Sequence, residues 1–176
     1  DAVAVIGYLD QGGKGIIQGS LDSGAFDTFI LSDGMIGDSL IEAFGKSLNK
    51  SFGSLPGSTG KGAGVFTKVA KAAGIDSSGP YTGESYDAAA LIVLAMQAGG
   101  SADRGSIAKN VMAVANGPGK KIYPGELKKA LDLLAKGKAV DYEGATGVVF
   151  TKVGEAEGSF LEKEIKYGKF KTKKQR

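Results

Sequence analysis

The sequence predicts an α/β fold built on a parallel sheet, and three observations lead there. Two short apolar runs, residues 2–8 (AVAVIGY) and 26–31 (FDTFIL), have the length and two-sided apolarity of buried strands. Each is followed by a stretch with helical spacing, so strand, helix, strand and helix succeed one another within the first fifty residues. Each run also stops in turn chemistry, at Gly7-Tyr8 and at Ser32-Asp33-Gly34. In such sheets ligands bind beyond the carboxyl ends of the strands.

The elements follow in order. Residues 2–8 read as a central strand buried on both faces. Residues 11–23 carry Ile16, Ile17 and Leu21 near helical spacing and predict a helix, with Gly24 as its C-cap. Residues 26–31 are the second strand. Residues 38–44 predict a short helix capped by Asp38 or Ser39. Residues 48–64 are rich in Gly, Ser and Pro and read as loop. Residues 65–73 predict a helix closed by Gly74, and residues 77–80 a turn.

Residues 85–99 (SYDAAALIVLAMQAG) are apolar almost all round and predict a buried helix. That stretch is shorter than the roughly 20 residues of a membrane span. Residues 106–115 predict another helix, followed by turns at Pro118 and Pro124. Residues 125–134 (GELKKALDLL) place Leu127, Leu131 and Leu134 on one stripe, and Gly137 stops the helix. Residues 147–151 and 159–167 read as two strands joined by a turn at 154–158, an antiparallel ending.

Composition narrows the chemistry. Of 176 residues, 42% are hydrophobic and 23% charged, as in a globular domain with a core of its own. His and Cys are both absent, which excludes a His-based triad, a cysteine nucleophile, the usual zinc sites and disulfides. The net charge is +3, yet the last eleven residues, 166–176, hold six cations and no acid. Taking those six away leaves −3 for the remainder, so the basic balance belongs to the end of the chain. That end, KFKTKKQR, reads as a frayed, solvated tail; a nucleic-acid or membrane contact is the alternative. The chain opens without Met and inside an apolar run, which is expected of the C-terminal part of a longer protein.

Three glycine-rich stretches resemble known motifs without matching them. GSTGKGAG (57–64) lacks the first Gly and the Ser or Thr of a phosphate loop, which fall at Leu55 and Gly62. GGKGIIQG (12–19) lacks the third Gly of a dinucleotide fingerprint, where Gln18 stands. The first reads as a flexible loop and the second as a tight strand-to-helix turn. YEGATG (142–147) sets Glu143 beside glycines and reads as a chain crossing that needs small residues, with a catalytic role for the carboxylate as the alternative. Asp33, after the buried run Phe29-Ile30-Leu31, is either a turn residue or a counter-ion for a cationic ligand.

Tyr8, FILSDGM (29–35), SYDAAALIVLAMQAG (85–99), KIYPGELKKALDLLAKGK (121–138), DYEGATG (141–147) and the closing strand pair occur in this order. The set resembles the C-terminal half of a branched-chain-amino-acid-type ABC transporter solute-binding protein. These are type I periplasmic binding proteins, relatives of the leucine/isoleucine/valine-binding protein. The resemblance spans essentially all 176 residues.

It implies doubly wound parallel sheets in two lobes joined by three crossovers, present here as an incomplete C-terminal part. Residues 1–80 would be a second-lobe α/β segment, 84–143 a first-lobe helical segment, 144–167 the return to the second lobe, and 168–176 a basic tail. It also implies two ligand-binding residues. Tyr8 would pack on the ligand, and Asp33, where the leucine/isoleucine/valine-binding protein has Glu, would bind its α-ammonium group. The partners implied are a small amino-acid-like ligand and the membrane permease of an ABC transporter, with no nucleic acid and no direct membrane insertion. No cofactor, metal or catalytic residue is expected. The location implied is periplasmic, reached through a signal peptide in the missing N-terminal half. A cytoplasmic ligand-sensing regulator on the same fold is the second reading. An α/β enzyme is the third, disfavoured by the lack of His and Cys and of a nucleophile–base pair.

Overall fold

The computed structural model describes residues 1–77 and 79–176. The predicted turn at 77–80 therefore falls partly outside the described residues, at Ser78.

In chain order the elements are β1 (Val3–Val5), α1 (Lys14–Ser23), β2 (Phe29–Leu31), α2 (Asp38–Phe44), β3 (Phe52–Pro56), α3 (Lys61–Ala72), α4 (Thr82–Gly99), α5 (Arg104–Ala115), β4 (Lys120–Ile122), α6 (Leu127–Leu134), β5 (Val140–Tyr142), β6 (Val149–Phe150), β7 (Ala156–Glu157), β8 (Phe160–Ile165) and β9 (Phe170–Gln175). They form two compact units, Asp1–Pro56 with Ser159–Arg176, and Gly57–Gly158.

The first unit is a five-stranded sheet in the order β1-β2-β3-β8-β9. β1, β2 and β3 are parallel, and β8 and β9 extend the sheet antiparallel. Stepping β1 to β2 to β3 in one direction through right-handed crossovers puts α1 and α2 on the same face. Their Ile17 and Leu40 share a buried cluster with Val5, Phe29, Leu31, Leu55 and Ile165. The opposite face carries Ile30, Phe52 and Phe160, which stay 40–49% exposed.

Several expectations change here. Val3–Val5 is not a central strand but stands at the sheet's edge, and Ile6 just beyond it is 87% exposed. An apolar run reports strand propensity and does not report how many neighbours the strand will have. The stretch read as loop, 48–64, contains β3, whose Gly53 and Leu55 point inward while Phe52 and Ser54 point out. α2 starts at Asp38, with Gly37 rather than Asp38 or Ser39 as its N-cap.

The final hairpin also differs. β6 pairs with β7, and β8 pairs with β3 and β9, so the strands at 147–151 and 159–167 are not partners. Nor is the basic end frayed. Phe170–Gln175 is a paired strand, and beyond it the Arg176 N–H donates to the Phe160 oxygen at 2.8 Å while Phe160 returns a bond at 2.9 Å. Glu162, set between Lys173 and the Arg176 guanidinium, offsets part of the charge.

The second unit is mainly helical. β4 and β5 form a parallel pair. Ile122, Val140 and Tyr142 from these strands share one buried cluster with Leu91 and Leu94 of α4, Val114 of α5 and Ala130 of α6. A second cluster joins Phe66 and Ala70 of α3 to Ala145, with Tyr86 against it. That packing groups α3 with α4 in one unit, and the chain passes from one unit to the other at Pro56/Gly57 and at Gly158/Ser159. α4 is not buried all round: Ile92 and Val93 are 45% and 44% exposed.

Candidate functional site

Val3 lies opposite Phe29 and Val5 opposite Leu31, so β1 and β2 end level at one edge of the sheet. Tyr8 comes just after the first strand and Asp33 just after the second. Parallel pairing therefore delivers both predicted residues to the same carboxyl edge.

Three contacts bind the two strand-end loops together. The Ser32 N–H donates to the Val5 oxygen at 3.1 Å. The Ser32 hydroxyl bridges both backbone groups of Gly7, each at 3.2 Å, accepting from its N–H and donating to its oxygen. Gly34 lies under the Tyr8 ring: a Cβ there would come within 2.5 Å of the Gly7 oxygen and 2.7 Å of Tyr8 Cδ1. Gly13, which opens α1, presses on the Met35 side chain and on the Tyr8 oxygen. Gly12 has φ +101, a turn conformation that favours glycine. Gly12 and Gly13 thus make a tight turn that seats Met35, while the rest of the GGKGIIQG stretch already belongs to α1.

Asp33 is half-buried and opens a short helical turn, Asp33–Met35. Its Oδ1 accepts the N–H of Gly34 at 2.7 Å. Tyr8 is 63% exposed. An exposed aromatic ring and a carboxylate at the same sheet edge suit a small cationic group with an apolar body: the ring offers packing and quadrupole attraction, the carboxylate a counter-charge. Sequence reading singles out Tyr8 and Asp33 as candidates and passes over Ser32 and Gly34, which join the two strand-end loops. Their signal was present in the tripeptide Ser-Asp-Gly, whose Ser and Gly flank the acid.

The second carboxylate of interest is Asp87, 2% exposed. It accepts from the Tyr142 hydroxyl at 2.9 Å, the Ala145 N–H at 2.7 Å, the Thr146 N–H at 2.8 Å and the Thr146 hydroxyl at 2.7 Å. Burial, then the charge of Asp87, pushes the Tyr142 phenol far above its ordinary pKa. Gly144, at φ +58, lies where a Cβ would strike this carboxylate. The DYEGATG stretch is thus a turn wrapped round a buried acid, and its small residues are required by that approach. Glu143 points instead to Lys121, with which it pairs. The GSTGKGAG stretch leads into α3, where Gly62 meets the Gly144 oxygen and the Lys61 ammonium lies 4.1 Å from the Tyr123 ring centroid.

This architecture is the type I periplasmic-binding-protein fold. The leucine-binding protein LivK of Thermotoga maritima superposes over 99% of the chain with a TM-score of 0.69 at 19% identity. A type 1 periplasmic binding protein from Bordetella pertussis Tohama I superposes over 98% at 0.63, also 19% identical. An ABC transporter substrate-binding protein from Desulfitobacterium hafniense covers 98% at 0.52 and 16% identity. The chain spans only 44%, 46% and 43% of those three structures. Among curated proteins, the chemotactic signal transduction system substrate-binding protein BasB of Halobacterium salinarum is 40% identical over 70 residues, which are 40% of the chain and 17% of BasB. No protein-family model matches. Among the described residues no helix is long and apolar enough to cross a membrane.

Proposed function

We propose that the chain is the C-terminal part of an extracytoplasmic solute-binding protein that delivers an amino acid, or a related small amine, to the permease of an ABC importer. The two compact units are read as parts of its two lobes. Asp33 is the counter-ion of the ligand's ammonium group and Tyr8 covers the adjoining apolar part. One observation carries this reading: two level strand ends bring Tyr8 against Gly34, next to Asp33, at the edge where such sheets bind ligands. The names of the structural neighbours, each a binding protein, support it.

The local identity with BasB supports a second reading, in which the same loaded protein reports to a chemotaxis receptor. Calorimetric titration of the whole protein with the standard amino acids tests the ligand class. Binding of at least one of them, with loss in Asp33→Asn, is expected. No heat with any of them sinks the amino-acid reading. Capture of the loaded protein by a permease or by a chemoreceptor separates the two destinations.

A further inference from the structure

The tip joining β8 to β9 is Lys166-Tyr167-Gly168-Lys169. It is closed by reciprocal bonds, the Lys166 N–H to the Lys169 oxygen at 2.9 Å and the reverse at 3.3 Å. Tyr167 and Gly168 have φ of +57° and +67°. That is the two-residue hairpin turn with both central residues left-handed, a place where Asn, Asp or Gly usually stands. A tyrosine there is strained, and this one is 69% exposed.

The tip rests on the segment before β3. Asn49 Oδ1 accepts the Gly168 N–H at 3.0 Å, and the Lys50 N–H donates to the Ile165 oxygen at 3.1 Å. A Cβ on Gly168 would lie 3.2 Å from the Lys46 backbone nitrogen. Lys46 and Lys50 are thereby held beside Lys166, Lys169 and Lys171, and all five are exposed. Among the described residues none of the five makes an ion pair; the pairs formed use other cations. The Lys166 and Lys171 ammonium groups lie 6.0 and 5.3 Å from the Tyr167 ring centroid. Acids on this side include Glu164, opposite Lys171 in register, Glu42, four residues before Lys46, and Asp27, two residues before Phe29, whose N–H donates to the Ser51 hydroxyl. The five cations outnumber these three acids and leave a positive surface.

This surface is not the candidate ligand site. The Ile165 N–H bonds to the Ser51 oxygen, just before β3 begins, so the tip lies at the amino ends of the parallel strands. Tyr8 and Asp33 lie at their carboxyl ends.

We propose that this face docks on an anionic lipid surface. Its cations are all lysines, point charges on flexible stems, without the planar arginine fork that grips carboxylates two at a time. Its single aromatic is an exposed tyrosine, whose apolar ring and polar tip suit the headgroup layer. Lysines near an anionic bilayer act together and are weakened by salt.

The test is co-sedimentation of the intact protein with phosphatidylcholine vesicles and with vesicles that also contain phosphatidylglycerol. Pelleting is expected with the second only, lost at high salt, and weakened about fivefold for each lysine neutralised. The variant with Lys46, Lys50, Lys166, Lys169 and Lys171 all changed to Gln should stay in solution while melting like the parent. Tyr167→Asn keeps the turn, because Asn tolerates positive φ, and should weaken pelleting with every lysine in place. Lys136→Gln with Lys138→Gln, in the other compact unit, should change nothing. No pelleting with anionic vesicles, or full pelleting of the five-lysine variant, overturns the proposal. Soluble polyglutamate that strips the protein from vesicles as well as excess anionic vesicles do overturns it too, in favour of an acidic protein partner.

Discussion

The hydroxyl of Tyr142 donates to Oδ1 of Asp87 at 2.9 Å, joining the last residue of β5 to the first half of α4 inside the core of the helical unit. Three more donors, from Ala145 and Thr146, converge on the same carboxylate. Asp87→Ala leaves buried donors without an acceptor and should cost about 3 kcal/mol or more. Tyr142→Phe removes one donor and should cost about 1 kcal/mol. Asp87→Asn should fall between them, since a single amide oxygen replaces two carboxylate oxygens. Urea unfolding of the three variants checks the order.

Asp33→Asn removes a charge and keeps the shape of the strand-end turn, where Asn is as acceptable as Asp. If Asp33 pairs with a ligand ammonium in a closed cleft, the loss should be roughly 3–5 kcal/mol. That is roughly a hundred- to several-thousand-fold in dissociation constant. Tyr8→Ala removes packing and should cost less. Titration of both variants of the whole protein decides it, and unchanged affinity in Asp33→Asn reduces Asp33 to a turn residue.

Gly34→Ala tests the seating of Tyr8. The added methyl meets the Gly7 oxygen and the Tyr8 ring. The ring can swing outward into solvent, but the Gly7 oxygen is backbone, so the strand-end loop must shift: stability should fall and ligand affinity should drop. Loss of the upfield ring-current shift expected for the Gly34 α-protons should accompany removal of the ring in Tyr8→Ala.

Glu162 is held below the usual carboxylate range, first by its hydrogen bond from Arg176 and then by the charges of Arg176 and Lys173. A depressed folded-state pKa stabilises above the unfolded value, and the contribution is lost as pH falls through the folded value. Protection of the β9 amides should therefore weaken on acidification, below the ordinary Glu titration range. Arg176→Ala should move the Glu162 midpoint upward by NMR titration. Deleting residues 171–176 strips β8 of most of its partner strand and should destabilise the sheet while leaving ligand affinity unchanged.

Ile30, Phe52 and Phe160 make an exposed apolar face on the five-stranded sheet. The 176-residue chain by itself should self-associate as concentration rises. Phe52→Lys should suppress this in sedimentation velocity, and a parent chain that stays monomeric throughout removes the prediction.

Local patterns were enough for the parallel βαβ start, for α1 and its Gly24 cap, for α6 with its leucine stripe, and for placing Tyr8 and Asp33 at strand ends. Each is set by spacing or turn chemistry within about a dozen residues, so periodicity alone reveals it. Tertiary structure decided what depends on partners far away in the chain. Phe52–Pro56 becomes a strand because β2 and β8 flank it, which its Gly- and Pro-rich surroundings conceal. The basic end becomes β9 because β8 supplies a ladder and Glu162 offsets charge, although six cations in eleven residues read as a solvated tail. The edge position of β1 and the exposure of Ile30 follow from which strands and helices lie beside them. Ser32 and Gly34 gain their roles only when Gly7 and Tyr8 arrive from a strand more than twenty residues earlier. Hydrogen bonds and close approaches across that distance are made by folding, and the spacing of residues along the chain does not record them.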